Sequence, residues 1–263
     1  MNARKPFSVV LLATDGISTQ MVFQTLNREG IDCYVLLETP ISKKTMLKGR
    51  VKKLGWVKTI GQLLFIGIIS PLLKIIKKQR IQEILRDVKI DESLCYPKTK
   101  TYRVQSVNHP STQLLLNQLQ PGLIIVNGTR IIGKKLIENI TCPMINIHTG
   151  ITPGYRGVHG GYWALANKDG ENFGTTIHYV DSGIDTGGII EQVFTQPTQS
   201  DNFATYPLIQ YQIALPRLLK ITKDFKEGNL PPIQPAPINL PSHLWYHPTI
   251  LEYLLNWWVK AIW

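Results

Sequence analysis

Asn146 and His148 stand two residues apart at the end of an apolar run, and Asp185 follows on a Gly-rich turn between two later apolar runs. Alternate residues of a strand point to one face, so the amide and the imidazole would line the same surface. An imidazole with an ordinary pKa of about 6.5 can take or give a proton near neutrality. A carboxylate beside it would tune that exchange. An amide hydrogen donated to a developing oxyanion is worth about 3 kcal/mol in comparable sites. An amide donor, a titratable base and a carboxylate partner are the parts that acyl transfer to an amine requires.

The elements needed to position these groups are legible as apolar runs separated by turn residues. Residues 7–13, 33–37, 102–107, 123–127, 144–148, 175–180 and 188–194 read as strands. Residues 18–28, 111–118 (with Ser111 as candidate cap), 129–138 and 161–167 read as helices, and 204–227 as a helix broken at Pro216. Strand, Gly-containing turn and helix in repetition predict an α/β fold with a mostly parallel sheet. Such sheets bind ligands at the carboxyl ends of their strands. Residues 43–89 interrupt the repetition as a largely helical insertion. A Pro-rich linker at 231–241 precedes an aromatic helix at 250–263.

Three blocks, in order and at family spacing, resemble the active-site segment of the folate-dependent formyltransferases. They are Asn146-Ile147-His148, the loop at 153–157 with Tyr155-Arg156-Gly157, and 174–178 followed by the Val180-Asp181…Asp185-Thr186-Gly187 turn. The resemblance implies a Rossmann-like catalytic domain over residues 1–195 and a helical extension over 196–263. It implies 10-formyltetrahydrofolate as formyl donor, a primary amine as acceptor, a tetrahedral intermediate, and Asn146, His148 and Asp185 as the catalytic residues. Gly128, Thr129, Arg130, Ile131 and Ile132 would form one wall of the pterin pocket, with Val180, Asp181 and Ile184 opposite. Tyr155, Arg156 and His159 would face the substrate. Arg156 has two further readings, a contact to the glutamate tail and a solvated side chain. His178 is expected to be structural.

The sequence departs from its relatives at two places. The glycinamide ribonucleotide enzymes cradle the substrate phosphate on a Gly-x-Gly-Ser-Asn loop after the first strand. Here Thr14-Asp15-Gly16-Ile17-Ser18 stands instead and brings a carboxylate towards the anion. The methionyl-tRNA enzymes carry a C-terminal β-barrel, whereas the residues after 195 read as helical. A nucleotide-linked amino sugar is therefore the expected acceptor, with glycinamide ribonucleotide, an aminoacyl-tRNA and a non-catalytic folate-binding module as alternatives.

The charge is concentrated. Residues 43–80 hold eleven Lys/Arg and no Asp/Glu, which accounts for the whole net charge of +11. An uncharged run at 60–73 lies inside that segment and falls short of the roughly 20 residues of a membrane-spanning helix. A peripheral element on an anionic membrane surface, a solvated helical face and a buried hairpin are the readings of this segment. With Trp56 its only Trp and Phe65 its only Phe, a nucleic-acid stacking platform is not expected. The segment Trp245-Tyr246-His247-Pro248-Thr249, with the Trp257-Trp258 helix, would pack as core, form a homodimer interface or stack on a nucleobase or sugar. His243 and His247 have a metal-ligand spacing, but Pro248 follows and no Glu accompanies them, so no metal is expected. Three scattered cysteines and a start that runs directly into a strand suggest a cytoplasmic protein without disulfides.

Overall fold

The computed structural model describes residues 6–262. The chain start at 1–5, read above as running directly into a strand, and Trp263 lie outside the described residues. The elements run β1 (Val9–Ala13), α1 (Ile17–Arg28), β2 (Cys33–Glu38), α2 (Lys43–Leu64), α3 (Ser70–Ile76), α4 (Lys78–Asp87), β3 (Thr101–Val104), α5 (Pro110–Leu119), β4 (Leu123–Asn127), α6 (Lys134–Asn139), β5 (Met144–His148), β6 (Arg156–Gly157), α7 (Gly160–Ala166), β7 (Gly174–Tyr179), β8 (Ile189–Phe194), α8 (Tyr206–Lys226), β9 (Leu244–Trp245) and α9 (Ile250–Lys260).

Seven strands form one sheet in the order β3-β2-β1-β4-β5-β7-β8. The first five are parallel; β7 and β8 are antiparallel additions. β1 and β4 are apolar on both faces and wholly buried, as strands covered by helices on both sides must be. The strand order reverses between β1 and β4, which opens a crevice at their carboxyl ends. One apolar cluster packs under α1, α7 and α8, and the other under α5 and α6.

Several boundaries differ from the sequence reading. The helix expected over 129–138 begins only at Lys134, because Gly128 adopts a left-handed φ of 67° and the next residues are tied elsewhere. Glu38, buried at the end of β2, accepts hydrogen bonds from the Val107 N–H (2.7 Å) and the Arg130 N–H (2.9 Å) and pairs with the Arg130 guanidinium at 3.4 Å. The cap of α5 is His109, whose imidazole accepts from the Ser111 N–H, rather than Ser111 itself. α8 runs unbroken through Pro216, since that residue is exposed and water can satisfy the carbonyl the ring leaves without a partner. The buried side of α8 joins α1 and β7 in the larger apolar cluster.

The insertion is helical. α2 is kinked at Gly55 (φ 77°, ψ 169°), then passes through a π-helical turn at Phe65–Ile69 directly into α3. The run Lys43–Ile76 is long and apolar enough to cross a membrane, which the fourteen-residue stretch read from the sequence was not. Only 22% of its most apolar window is buried.

Candidate active site

β5 ends in the crevice edge and presents Asn146 and His148 on one face, as their alternation requires. β7 runs back beside it, with Asn146 opposite His178 and His148 opposite Thr176. The loop after β7 then folds over and returns Asp185 to the same place. That return is enforced at Asp185, which holds φ 50°, and at Gly187, where a Cβ would lie 1.7 Å from the Tyr179 carbonyl oxygen.

The three residues meet around the Asp185 carboxylate. Asp185 Oδ2 lies 3.5 Å from His148 Nδ1 and accepts the Gly157 N–H at 2.8 Å. Oδ1 accepts from Asn146 Nδ2 at 3.2 Å and lies 3.6 Å from His178 Nε2. Burial works to raise this carboxyl's pKa, but the nearby His148, the contact with His178 and the Gly157 N–H together hold it well below the usual carboxylate range. Asp185 is therefore an anion across the neutral range.

The tautomers follow from the backbone. His148 Nε2 lies 2.7 Å from the Tyr155 carbonyl oxygen, so Nε2 carries the hydrogen and Nδ1 faces the carboxylate. His178 Nδ1 is 2.8 Å from the Tyr179 carbonyl oxygen, leaving Nε2 to accept from Asn146 Nδ2 at 3.1 Å. Both Asn146 amide hydrogens are thus committed to His178 and Asp185. His178, read from sequence as structural, belongs to the same cluster.

The expected pterin walls flank this cluster. Gly128 to Ile132 leave the end of β4, whose Val126 pairs with Asn146. Thr129 bonds the Arg130 carbonyl, and Arg130 is anchored to Glu38 and to the Gln105 and Thr39 carbonyls. Ile131 is exposed and Ile132 is buried. Opposite, Val180 donates its N–H to the Met144 carbonyl and Asp181 closes its own turn through Gly183 and Thr186. The Ile184 carbonyl accepts from Arg156 Nη1 at 3.0 Å. Arg156 Nε is buried without a hydrogen-bond partner beside this wall.

Tyr155, Arg156 and His159 are turned inward. The Tyr155 hydroxyl donates to Asp169 at 2.6 Å, and its ring stacks on Trp245. His159 shares a hydrogen bond of 2.9 Å with His247 and packs on Phe203. Enclosure lowers the pKa of both imidazoles, that of His159 well below its usual value and that of His247 to about 4, with Arg50 adding to the latter. His243 packs at a tilt on Trp245, with ring centroids 4.2 Å apart, instead of joining His247, and the described residues contain no group of three metal-ligating side chains.

The aromatic segment at Trp245 was marked in the sequence, but its strand pairing was not. β9 pairs in parallel with β6, placing Trp245 against Tyr155 and Trp163. Trp245 Nε1 donates to the Gly154 carbonyl at 2.9 Å. The active-site loop is thereby held by a strand almost ninety residues later, a pairing that no local pattern announces. Two hollows near Cys142 lie at the opposite end of the sheet, away from His148.

Known proteins share this architecture. A sugar N-formyltransferase from Shewanella sp FDAARGOS_354 superimposes with a TM-score of 0.55 at 15% identity, covering 90% of this chain and 76% of that one. The formyltransferase PseJ from Anoxybacillus kamchatkensis, solved with UDP-4,6-dideoxy-4-formamido-L-AltNAc and tetrahydrofolate, gives a TM-score of 0.51 at 17% identity, covering 90% and 86%. Methionyl-tRNA formyltransferase of Syntrophus aciditrophicus is 32% identical over 98 residues, 37% of this chain and 31% of its own length. The chain spans less than half the length of the curated relatives it matches. Residues 73–206, just over half of the chain, match the formyl transferase family model, and the chain belongs to that family.

Proposed function

We propose that this protein transfers a formyl group from 10-formyltetrahydrofolate to the primary amine of a nucleotide-linked amino sugar. The observation that carries the reading is the convergence of Asn146, His148 and Asp185 at the carboxyl end of β5. The flanking walls suit the donor: Ile131 offers an exposed apolar side chain, and Arg156 is held on the Ile184 carbonyl of the other wall. The donor supplies a formyl carbon already bonded to a nitrogen leaving group.

The chain's own residues supply proton handling and orientation. An incoming amine must lose a proton as its bond to the formyl carbon forms, and the departing nitrogen must gain one as its bond breaks. His148 Nδ1 is placed for the first transfer, because Nε2–H is fixed on the Tyr155 carbonyl. Asp185, held ionised, stabilises the imidazolium that results. Asn146 Nδ2, donating to Oδ1, and the Gly157 N–H, donating to Oδ2, fix the rotamer of that carboxylate. Asn146 would donate to the formyl oxygen only after releasing one of its present contacts.

The acceptor assignment rests on the first loop and on the likeness of fold. Asp15 stands at the carboxyl end of β1 and pairs with Arg103 at 3.7 Å, a poor setting for a substrate phosphate. The structural neighbours named as sugar enzymes align along 90% of the chain. The curated relatives support a second reading, an aminoacyl-tRNA amine. The three cysteines are unpaired, which fits a reducing cytoplasmic setting.

Absorbance change on conversion of 10-formyltetrahydrofolate to tetrahydrofolate, followed with a panel of nucleotide-linked amino sugars, glycinamide ribonucleotide and methionyl-tRNA, tests the proposal. Turnover with one amino sugar supports it. Turnover confined to methionyl-tRNA transfers the assignment to the second reading, and no turnover with any amine removes the enzyme assignment.

A further inference from the structure

α2, α3 and α9 expose more apolar surface than a soluble domain's helices ordinarily leave to water. Along α2–α3, Val57, Ile60, Leu64, Ile68, Leu72 and Ile75 recur at three- and four-residue intervals, and all are exposed. The opposite side of the same run is buried on the catalytic body through Thr59, Gln62, Phe65 and Leu73. α9 repeats the arrangement. Tyr253 faces inward, while Leu251, Leu254, Leu255 and Trp258 face out, with Trp258 84% exposed. The helices touch, since Phe65 packs on Tyr253 with ring centroids 5.0 Å apart and Gly61 meets Thr249.

The charges select the occupant. Exposed Lys43, Lys44, Lys48, Lys52, Lys53 and Lys58 precede or enter the apolar row, Lys74 lies at its far end and Lys78 follows it. No Asp or Glu occurs between 43 and 80. A second copy of the chain would set two such clusters face to face and be repelled. A bilayer crossing is opposed by attachments along the whole run. Gln62 Nε2 donates to the His247 carbonyl at 2.6 Å, Asn202 Nδ2 to the Leu73 carbonyl at 3.3 Å, and Arg80 pairs with Asp201 at 2.9 Å. Spanning would tear these from the catalytic body. An interface rich in anionic lipid accommodates both the apolar row and the cations.

We propose that α2–α3 and α9 form one docking face that lies in the plane of an anionic lipid bilayer, with the apolar rows in the acyl boundary and the lysines among the headgroups. The face is joined to the active site. His247, held by Gln62 of α2, binds His159, and β9, which leads into α9, pairs with the loop that carries Gly157.

The test is co-sedimentation of the full chain with phosphatidylcholine vesicles, with and without phosphatidylglycerol. Binding is expected only with phosphatidylglycerol, accompanied by a blue shift of tryptophan fluorescence that Trp258→Ala, with Trp56 and Trp257 still exposed, reduces. Ile68→Glu with Ile75→Glu should weaken binding more than tenfold. Lys52→Gln, Lys74→Gln and Lys78→Gln together, which leave the packed side untouched, should weaken it severalfold. The proposal is overturned by absence of binding to phosphatidylglycerol vesicles, or by binding that the glutamate pair leaves unchanged. Protein that resists extraction by alkaline carbonate overturns it in favour of a span. A dimer that Ile68→Glu dissociates, without vesicle binding, overturns it in favour of self-association. Vesicle binding needs neither formyl donor nor amine, so its outcome is independent of the turnover assay.

Discussion

His148 Nε2 sits 2.7 Å from the Tyr155 carbonyl oxygen, and this one contact decides which imidazole nitrogen faces Asp185. Gly150 makes the approach feasible, since a Cβ there would stand 2.2 Å from that oxygen and 2.6 Å from Nε2. Gly150→Ala should therefore separate the pair. Turnover is expected to fall by about 10²-fold or more, the scale seen when one aligned catalytic contact is lost. Steady-state kinetics with the acceptor found by the panel would measure it, and an unchanged rate would show that the Tyr155 contact does not set the imidazole.

His148→Ala should lower kcat by orders of magnitude and leave tetrahydrofolate affinity within a few-fold. Among the described residues the imidazole contacts Tyr155, Asp185 and the His178 ring, none of which lies in the loop at 128–132. Isothermal titration with tetrahydrofolate alongside turnover separates the two effects. An unaffected rate would remove His148 from the mechanism.

The β5 end and the Asp185 turn were legible because their signals are local. Alternation places Asn146 beside His148, and glycines mark the turn that returns the carboxylate. The helix at 129–138 was misjudged because its first residues are tied to Glu38, some ninety positions earlier, and tertiary contacts override local propensity. The strand pairing of Trp245 was illegible for the same reason: β6 and β9 are two-residue strands that pair only across the folded molecule. The exposure of the Trp257-Trp258 helix could not be read either, because an apolar stripe looks alike whether it faces protein, lipid or water.

Trp245→Ala should test how much the loop depends on that late strand. It removes stacking on Tyr155 and Trp163 and the hydrogen bond to the Gly154 carbonyl. A loss of about 3 kcal/mol in stability is expected for a part-buried aromatic of this size. kcat should fall more than folate affinity. Urea denaturation and kinetics at a temperature where the variant remains folded would separate the two.

Stability should fall on mild acidification. His159 and His247 have pKa values lowered in the folded chain, that of His247 to about 4 from 6.5, so the unfolded chain binds more protons between those values. Folding free energy is then fully present above about pH 6.5 and declines as pH drops towards 4. Asp185 acts in a lower window, because its folded pKa is depressed and its contribution fades below the ordinary value of 3.8. Melting temperature against pH should show a decline beginning near 6.5, and His247→Gln should flatten it. An unchanged slope in that variant would assign the decline to other groups.

The pairing of Arg156–Gly157 with Leu244–Trp245 also sets an order of events during synthesis. The sheet from β1 to β8 is complete once residue 194 has left the ribosome, but the loop that donates the Gly157 N–H to Asp185 has no partner strand until residue 245 emerges. A nascent chain could thus be folded at its core and still lack a finished catalytic centre, so catalytic competence would be acquired last, together with the helix that follows β9.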